Sequence, residues 1–498
     1  MILAIDQGTT GSTCLVIDEN GAVRGRAYRE FTQHFPRPGW VEHDAEEIWT
    51  VTREMAAEAA RDAGRELGQL AGVGIVNQRE TIVLWDRKTG KPVYHALVWQ
   101  DGRTAATCRR MKEDGHEDLV RARTGLLIDP YFSGTKLAWL LQNVDGAMDA
   151  ARRGRLAAGT IDSWLVWKLT GGRNHLTDHT NASRTLLYNL DTRDWDPDLL
   201  DLFSIPSGVL PEVRRSSEVY AETDYDAFGA RLPVAGIAGD QQAALFGQGC
   251  WNPGLAKNTY GTGAFLLLHT GDERMASESG LLTTAACAED GGPSYALEAA
   301  IFIAGAAVQW LRDQLKIIDV AAETDALARS LESNDGVYLV PAFTGLGAPH
   351  WEPRARGTLV GLTRGTGRAH LARAALEAMA YATRDAAMAM EADSGITMEE
   401  LRVDGGASEN DWLAQFQADL LDLPVRRPAV VETTALGAAG LAGLALGVWG
   451  SGEEFRGAVA EDTVFHPNSD SADRDEWIAG WERALAASKA WAGTGTEE

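Results

Sequence analysis

Short apolar runs that end in small polar residues alternate with amphipathic stretches along this chain. At its start, apolar residues at 2–5 and 14–17 flank a middle that is rich in Gly and Thr, and this pattern predicts two buried strands joined by a tight hairpin. The same pattern returns at 254–271. Helical patterns separate the strands, and one of them opens with Asp44 at a capping position. The alternation predicts an α/β protein.

The middle of each hairpin suits phosphate groups. In the first hairpin Asp6 is followed by Gly8, Thr9 and Thr10, and glycines let backbone N–H groups approach phosphate oxygens closely. The carboxylate of Asp6 adds a ligand of the kind that Mg²⁺ prefers. A third glycine turn at 404–410 runs into a helical pattern. One such turn alone is also explained as an ordinary hairpin, but three of them predict a nucleotide held between two similar halves.

Charged and aromatic residues follow several predicted strands. Arg79 and Glu80 are adjacent at one strand end. Because Arg donates to hydroxyl oxygens and Glu accepts from hydroxyl hydrogens, the pair suits a small polyol; a solvated surface turn is the other interpretation. Trp99 closes another strand, and Tyr131 lies on a break before a helix. Each is a candidate wall for a polyol, although an isolated Trp is more often part of the core.

Asp240 has the most informative position of the acidic residues. A strand pattern at 234–239 ends directly before it, and Gln241 opens a helix of small residues. The carboxylate therefore faces the crevice at the strand ends, where α/β proteins bind ligands. A helix N-cap is the alternative role.

Composition limits the class of protein. A length of 498 residues predicts two domains, and we place them at 1–248 and 249–498. The net charge of −25 argues against a nucleic-acid binder and against docking on anionic membranes. The apolar stretch at 435–450 is too short to span a bilayer, and its small residues predict a close-packed helix inside the second domain.

Two features concern the compartment. Met1 leads directly into the first predicted strand, which leaves no export signal. The 4 cysteines are far apart in the sequence, so neither a disulfide framework nor a zinc site is expected. Both features favour a cytoplasmic protein.

Seven motifs together resemble one family. The ordered set resembles the FGGY carbohydrate kinases, of the actin/hexokinase superfamily, and its members lie at 6–10, 39–43, 77–81, 129–136, 239–243, 260–263 and 403–407. The resemblance covers almost the whole chain. It implies two ribonuclease-H-like domains with a cleft between them, an ATP site on the second domain and a polyol site in the first.

The resemblance also implies residue roles and a reaction. The chain would phosphorylate glycerol to sn-glycerol 3-phosphate with ATP as the phosphoryl donor and Mg²⁺ as the cofactor, and Asp240 would be the general base. Glycerol would contact Arg79, Glu80, Tyr131, Asp240 and Gln241, with Trp99 and Phe265 as apolar walls. The nucleotide would contact Thr9, Thr10, Thr262, Gly305, Gln309, Gly406 and Asn410, and the metal would face Asp6 and Asp240. A homodimer or a homotetramer is left open.

Three departures from the family pattern stand out. Thr13 occupies a position where relatives commonly carry Arg, and Gly102 precedes Arg103 where many have paired arginines. The first change removes a cation near the phosphates. The loop at 225–231 also lacks the phosphorylatable histidine and the glycine-lysine run of regulated relatives.

Two other functions stay open from the sequence alone. One is a kinase for another polyol or for a ketose sugar in the same family. The other is a non-catalytic member of the superfamily that acts as a nucleotide-gated filament or as a regulatory protein. Asp6 and Asp240 argue against the latter.

Overall fold

A computed structural model describes residues 1–459 and 462–493. In the first half the strands are β1 (Ile2–Gln7), β2 (Gly11–Ile17), β3 (Val23–Glu30), β4 (Gln33–His34), β5 (Glu42–His43), β6 (Val73–Asn77), β7 (Ile82–Asp86), β8 (Ala96–Leu97), β9 (Leu156–Thr160), β10 (Leu176–Asp178), β11 (Tyr188–Asn189), β12 (Asp194–Trp195), β13 (Glu212–Arg214), β14 (Ser217–Glu222) and β15 (Pro233–Gly239). The helices of this half are α1 (Ala45–Asp62), α2 (Ala105–Glu113), α3 (Glu117–Thr124), α4 (Ser133–Asn143), α5 (Ala147–Arg152), α6 (Ile161–Leu169), α7 (His179–Ala182), α8 (Pro197–Phe203), α9 (Tyr225–Phe228) and α10 (Asp240–Gly247).

The second half continues the alternation. Its strands are β16 (Leu255–Tyr260), β17 (Ala264–Gly271), β18 (Leu282–Cys287), β19 (Pro293–Ile301), β20 (Tyr338–Val340), β21 (Thr358–Val360), β22 (Glu400–Asp404), β23 (Val425–Arg427) and β24 (Thr463–Phe465). Its helices are α11 (Gly305–Asp313), α12 (Glu323–Arg329), α13 (Arg368–Ser394), α14 (Asp411–Leu421), α15 (Thr433–Ala445), α16 (Gly452–Ala458) and α17 (Ser471–Gly493). Short 3₁₀ helices cover Leu67–Gln69, Ser207–Val209 and Gly406–Glu409.

Two large mixed sheets share one plan. The first has the order β14-β15-β6-β1-β2-β3, and the second has the order β18-β19-β17-β16-β22-β23-β24. In each sheet a hairpin pairs on one side with a further antiparallel strand and on the other with a parallel strand: β1–β2 with β3 and β6, and β16–β17 with β19 and β22. The duplicated hairpin plan and the α/β class are thereby confirmed.

Each sheet buries an apolar face against helices. Ile5 and Val16 of the first sheet belong to one cluster with Ile48 and Trp164, from α1 and α6. The second sheet has its own cluster, in which α13 supplies many of the buried residues. Asp44 caps α1 as expected, because its side chain accepts from the backbone N–H groups of Glu46 and Glu47.

The helix of small residues, α15, crosses from the second half to the first sheet. Its apolar residues share a cluster with Ile2, Ala4 and Val76, so the expectation that it packs inside the second domain is wrong. Small residues on both sides make the contact possible: a Cβ added at Gly74 would lie 2.2 Å from the carbonyl oxygen of Ala438. The small residues of α15 are therefore explained by its close packing against the first sheet, and not by packing inside the second half.

Among the residues that the structure describes, no helix combines the length and the apolar character needed to cross a membrane.

Candidate active site

Asp6 and Asp240 lie at the ends of two strands of the first sheet that flank β6. Asp6 belongs to β1 and Asp240 follows β15, and both strands pair in parallel with β6. The carboxyl ends of parallel strands meet at one edge, which brings the two carboxylates together. Thr434 of α15 donates its hydroxyl to Oδ2 of Asp6 at 2.7 Å. Burial and the charge of Asp240 raise the pKa of Asp6, this hydrogen bond lowers it, and the net result is a pKa of about 6.

Arg79 connects Asp240 to the second sheet. Its Nε lies 3.1 Å from Oδ1 of Asp240, while Nη1 and Nη2 donate to the two carboxylate oxygens of Glu298 at 2.6 and 3.1 Å. Burial lowers the pKa of Arg79. The negative charges of Glu298 and Glu80 have the larger effect and hold this pKa well above its ordinary value. Asp240 itself is 33% exposed. Arg79 is thus fixed as a bidentate donor beside an accessible carboxylate.

Glu80 lies in a strained turn that is closed on several sides. Its φ of +61° is a left-handed conformation, uncommon for a residue with a side chain. Ser133 donates to its carbonyl oxygen at 2.8 Å, and Arg184 Nε donates to its carboxylate Oε1 at 2.6 Å. Burial raises the pKa of Glu80, and Arg184 and Arg79 oppose that rise. The solvated-turn interpretation of Arg79 and Glu80 is therefore wrong, since both are buried.

Two aromatic residues form a wall next to this turn. The rings of Trp99 and Tyr131 meet edge to face with centroids 5.4 Å apart. The indole Nε1 of Trp99 donates to Oγ1 of Thr9 at 2.9 Å, which ties the wall to the first hairpin. The ammonium of Lys136 donates to the carbonyl oxygens of Trp99 at 3.2 Å, of Tyr131 at 3.1 Å, and of Pro130. One buried lysine therefore anchors both aromatic segments.

Gln241 and Phe265 are placed differently. The side-chain oxygen of Gln241 accepts from the ammonium of Lys257 on β16. Burial lowers the pKa of Lys257 to about 8, and the negative charge of Asp404 opposes the shift. Phe265 is half-buried on β17 and packs against a cluster that includes Leu245, so its role as a polyol wall stays a prediction.

A cavity of about 620 Å³ opens in the second half. It contains five of the predicted nucleotide residues: Thr262, Gly305, Gln309, Gly406 and Asn410. Thr9 and Thr10 lie on the first hairpin and are not in its lining. The residues predicted to bind nucleotide are therefore divided between this cavity in the second half and the first hairpin.

Backbone contacts shape this cavity. The amide N–H of Gly305 donates to the carbonyl oxygen of Gly261 at 3.0 Å, which holds the start of α11 against the second hairpin. Gly405 has a φ of +81°, and a Cβ there would lie 2.4 Å from the carbonyl oxygen of Tyr260. Asn410 caps α14 by accepting from the N–H of Leu413 at 2.9 Å. The glycine turn thus runs into a helix N-terminus at the cavity, as the sequence predicts.

Several residues of these sites were missed from the sequence. Glu298 and Arg184 are buried ion-pair partners of the predicted polyol residues. A single Glu within the apolar strand β19 is a signal that could have identified Glu298. The cavity also takes lining residues from three helices, α11, α12 and α13, and these are Val308, Arg312, Thr324, Asp325, Leu376 and Met379. No local motif marks them.

Thr13 lies beside the acidic site. It is the register partner of Asp6 on β1 and of Tyr28 on β3. Directly opposed residues of an antiparallel pair are near neighbours on one face. The position at which the family resemblance leads us to expect Arg is therefore adjacent to Asp6, and it holds a neutral side chain.

Comparisons with known proteins agree with this architecture. The family model for the N-terminal domain of the FGGY carbohydrate kinases matches residues 1–247, and that for the C-terminal domain matches residues 256–446. Glycerol kinase of Xanthomonas campestris pv. campestris (strain 8004) is 56% identical, with 98% of each chain covered. Glycerol kinase of Petrotoga mobilis is 54% identical at the same coverage.

Solved structures show the same arrangement. The crystal structure of Plasmodium falciparum glycerol kinase with ADP superposes with a TM-score of 0.92 at 35% identity, with 98% of each chain covered. Gluconate kinase from Lactobacillus acidophilus shares the fold, with a TM-score of 0.88 at 21% identity and coverage of 99% of this chain and 98% of that one. The predicted resemblance is confirmed, and the chain belongs to the FGGY family of carbohydrate kinases.

Proposed function

We propose that this chain transfers the γ-phosphoryl group of ATP to glycerol, which yields sn-glycerol 3-phosphate and ADP. One observation carries the proposal: Asp240 presents an accessible carboxylate between the buried Arg79–Glu80 pair and the neighbouring Asp6. Its Oδ1 is held by Arg79 and by the backbone N–H of Gln241 at 2.7 Å. Within the described part of the chain, Oδ2 makes no hydrogen bond and is left for a substrate hydroxyl.

In this reaction Asp240 is the general base. Its Oδ2 accepts the proton of a terminal hydroxyl of glycerol while that oxygen bonds to the γ-phosphorus and the bond to the β–γ bridging oxygen breaks. General base catalysis of this kind contributes about 10²- to 10⁴-fold. Arg79 keeps Oδ1 in place throughout, because Glu298 fixes the guanidinium from behind.

The neighbouring residues bind the polyol. Arg79 donates to hydroxyl oxygens and Glu80 accepts hydroxyl hydrogens. Tyr131 and Gln241 supply further polar contacts, while Trp99 and Phe265 cover the C–H faces. Support for this set comes from the edge-to-face contact of Trp99 with Tyr131 and from the burial of Glu80.

The nucleotide lies across the two halves. Family membership supports the use of ATP, and we propose that the adenosine occupies the 620 Å³ cavity against Val308 and Met379. Its polar contacts there are Thr262, Gly305, Gln309, Gly406 and Asn410. Thr9 and Thr10 meet the phosphates from the first hairpin, which lies at the same sheet edge as Asp6.

Asp6 and Asp240 suit a magnesium ion that accompanies the nucleotide. Mg²⁺ is commonly held by one or two carboxylates together with phosphate oxygens and water. Residues 1–459 and 462–493 contain no group of three or more His, Cys, Asp or Glu side chains able to hold a metal ion, so two carboxylates match a phosphate-bound ion better than a closed cage. When bound, the ion neutralises charge on the β- and γ-phosphates.

Organisation and location complete the proposal. We assign the polyol site to a domain at 1–248 and the nucleotide cavity to a domain at 249–498, whose last residues, 494–498, lie outside the described part. Cytoplasmic residence accords with four buried, unpaired cysteines. Light scattering of the purified protein distinguishes a homodimer from a homotetramer.

A coupled assay of ADP release tests the function. Glycerol should be turned over in preference to xylulose, ribulose and gluconate, and Asp240→Asn should lower kcat by about 10²-fold or more. The matched control is Asp475→Asn, an exposed carboxylate of α17, which should leave kcat unchanged. Preference for a ketose or gluconate favours another kinase of the family, and full activity of Asp240→Asn rejects the mechanism.

A further inference from the structure

Arg184 lies behind the proposed polyol site and touches several of its residues. It follows α7, and its side chain has 0% exposure. Nε donates to Oε1 of Glu80 at 2.6 Å, and Nη2 donates to Oε1 of Glu298 at 3.0 Å. One planar guanidinium therefore bridges a carboxylate of the first half to a carboxylate on the second sheet.

The same group also meets the aromatic wall. The Cζ atom of Arg184 lies 5.7 Å from the ring centroid of Tyr131 and 5.1 Å from that of Phe132. A guanidinium at this distance from an aromatic face is attracted to it. The remaining nitrogen, Nη1, is buried and has no hydrogen-bond partner among the described residues. The position of Arg184 is thus set by Glu80, Glu298 and the two rings together.

The charges explain why an arginine is needed there. Glu80 and Glu298 are both buried carboxylates, and without Arg184 the ion-pair partner left to Glu80 would be Arg79, which also pairs with Glu298 and Asp240. A buried charge without a partner is strongly unfavourable. Arg79 is already engaged by Glu298 through two hydrogen bonds, and its Nε is 3.8 Å from Glu80. Arg184 is therefore the closer partner of the Glu80 carboxylate.

A lysine at position 184 cannot make the same set of contacts. An ammonium is a compact point charge, whereas a guanidinium offers a flat fork that bridges two acceptors and stacks on rings. The 2.6 Å and 3.0 Å contacts use two nitrogens of that fork on two different carboxylates. A lysine would keep the charge but lose either the bridge or the ring contact.

We propose that Arg184 is a positioning residue for the polyol: it orients the Glu80 carboxylate and the Tyr131 ring against Glu298, and so determines the affinity for glycerol. The inference rests on the proposed function, because Glu80 and Tyr131 are assigned there as polyol contacts. Arg184 is not in the lining of the nucleotide cavity. Its loss should therefore affect glycerol and spare ATP.

The test compares Arg184→Lys and Arg184→Met with Arg373→Lys. Arg373 is a matched control: it is buried, its Nε donates to Glu377 at 2.7 Å, and its Cζ lies 5.1 Å from the ring centroid of Trp412. The measurements are KM for glycerol, KM for ATP, kcat, glycerol affinity by calorimetry without nucleotide, and the melting temperature. Calorimetry separates polyol binding from the chemical step.

A positioning role predicts a split between the two substrates. Arg184→Lys should raise KM and Kd for glycerol about 10-fold or more, and Arg184→Met at least as much, while KM for ATP changes less than about 3-fold. The control should leave the glycerol constants unchanged. If Arg184→Met does not fold, Arg184→Lys decides the question.

Other outcomes overturn the inference. Unchanged glycerol constants in a folded Arg184→Lys, equal increases in both KM values, or the same glycerol defect in Arg373→Lys would each reject it. An Arg184→Lys protein that does not fold would assign the residue to stability alone and reject it too. A wild-type protein without glycerol turnover or glycerol binding is a different result, since it rejects the proposed function itself.

Discussion

Asp6 and Asp240 come from opposite sides of one central strand, β6, and their carboxylates are close enough for the charge of one to raise the pKa of the other. They are 234 positions apart in the sequence, the difference between 240 and 6. The pairing creates an acidic site that a divalent cation would relieve. Arg79 balances part of this charge through Asp240, but like charges held together are unfavourable, so binding of a metal–nucleotide complex would stabilise this pair of carboxylates.

Replacing Asp6 with Asn should remove one of the two neighbouring carboxylates. This should stabilise the metal-free protein and impair catalysis. The pKa of Asp6 is raised to about 6 in the folded state, above the value of about 3.9 for an unfolded chain. The folded state therefore binds more protons between these values, and its stability falls as pH rises from about 4 to 6. Asp6→Asn should remove this slope and increase the free energy of unfolding above pH 6 in magnesium-free buffer.

The same variant should require more magnesium. One of the two carboxylates proposed to hold the ion is lost, so the Mg²⁺ concentration for half-maximal activity should rise about 10-fold or more. Denaturant unfolding with EDTA and a magnesium titration of activity check the two parts. A variant with unchanged stability above pH 6 and unchanged magnesium dependence would show that Asp6 faces neither Asp240 nor the metal.

Replacing Lys136 with Met should loosen the aromatic wall. The carbonyl oxygens of Trp99 and Tyr131 would lose a buried donor, at a cost of about 1–3 kcal/mol each. KM for glycerol should rise while KM for ATP is nearly constant. Chemical denaturation and steady-state kinetics measure both effects, with Lys489→Met, on the C-terminal helix α17, as the control. A stable variant with normal glycerol kinetics would contradict the anchoring role.

The pH dependence of stability gives a further check on Lys136. Burial lowers its pKa to about 8, against the charges of Asp101 and Glu80, whereas an unfolded Lys titrates near about 10.4. The unfolded state thus binds more protons between these values, and this residue makes stability rise with pH across that window. Relative to wild type, Lys136→Met should lack that rise.

Replacing Gly405 with Ala should damage the nucleotide site selectively. The left-handed backbone at φ +81° and the 2.4 Å approach to Tyr260 leave no room for a Cβ, so the turn must shift. KM for ATP should rise, while calorimetric binding of glycerol stays near its wild-type value. Gly208→Ala is the control, since nothing lies within 4 Å of its added Cβ. Unaltered ATP kinetics would mean that the 405–410 turn does not contact the nucleotide.

Introducing a cation at position 13 should change the charge balance of the acidic site around Asp6 and Asp240. In Thr13→Arg the guanidinium would lie across from Asp6, its register partner, and a nearby positive charge lowers a carboxylate pKa. We expect a lower KM for ATP at limiting Mg²⁺ and an activity profile that extends to lower pH. Thr13→Gln, which has a neutral side chain, is the control. A profile identical for Arg and Gln would exclude an electrostatic role for this position.

The sequence by itself determined the local features of this protein. Short segments of sequence are enough to predict glycine-rich hairpins, strand ends and helix caps, because these features depend on backbone conformation and on a few neighbouring side chains. Asp6, Asp240, the Arg79–Glu80 pair and the 405–410 turn could be recognised for that reason. Their ordered spacing was also sufficient to identify the family.

The tertiary structure decided which distant residues support them. Glu298 and Arg184 are ordinary residues in the sequence. The meeting of the two halves makes Glu298 a partner of Arg79, and the folding of the first half brings Arg184 to Glu80. The cavity lining from α11, α12 and α13 has no local signature either. The position of α15 against the first sheet contradicted the expectation from chain order, because close packing depends on matching surfaces and not on nearness along the chain.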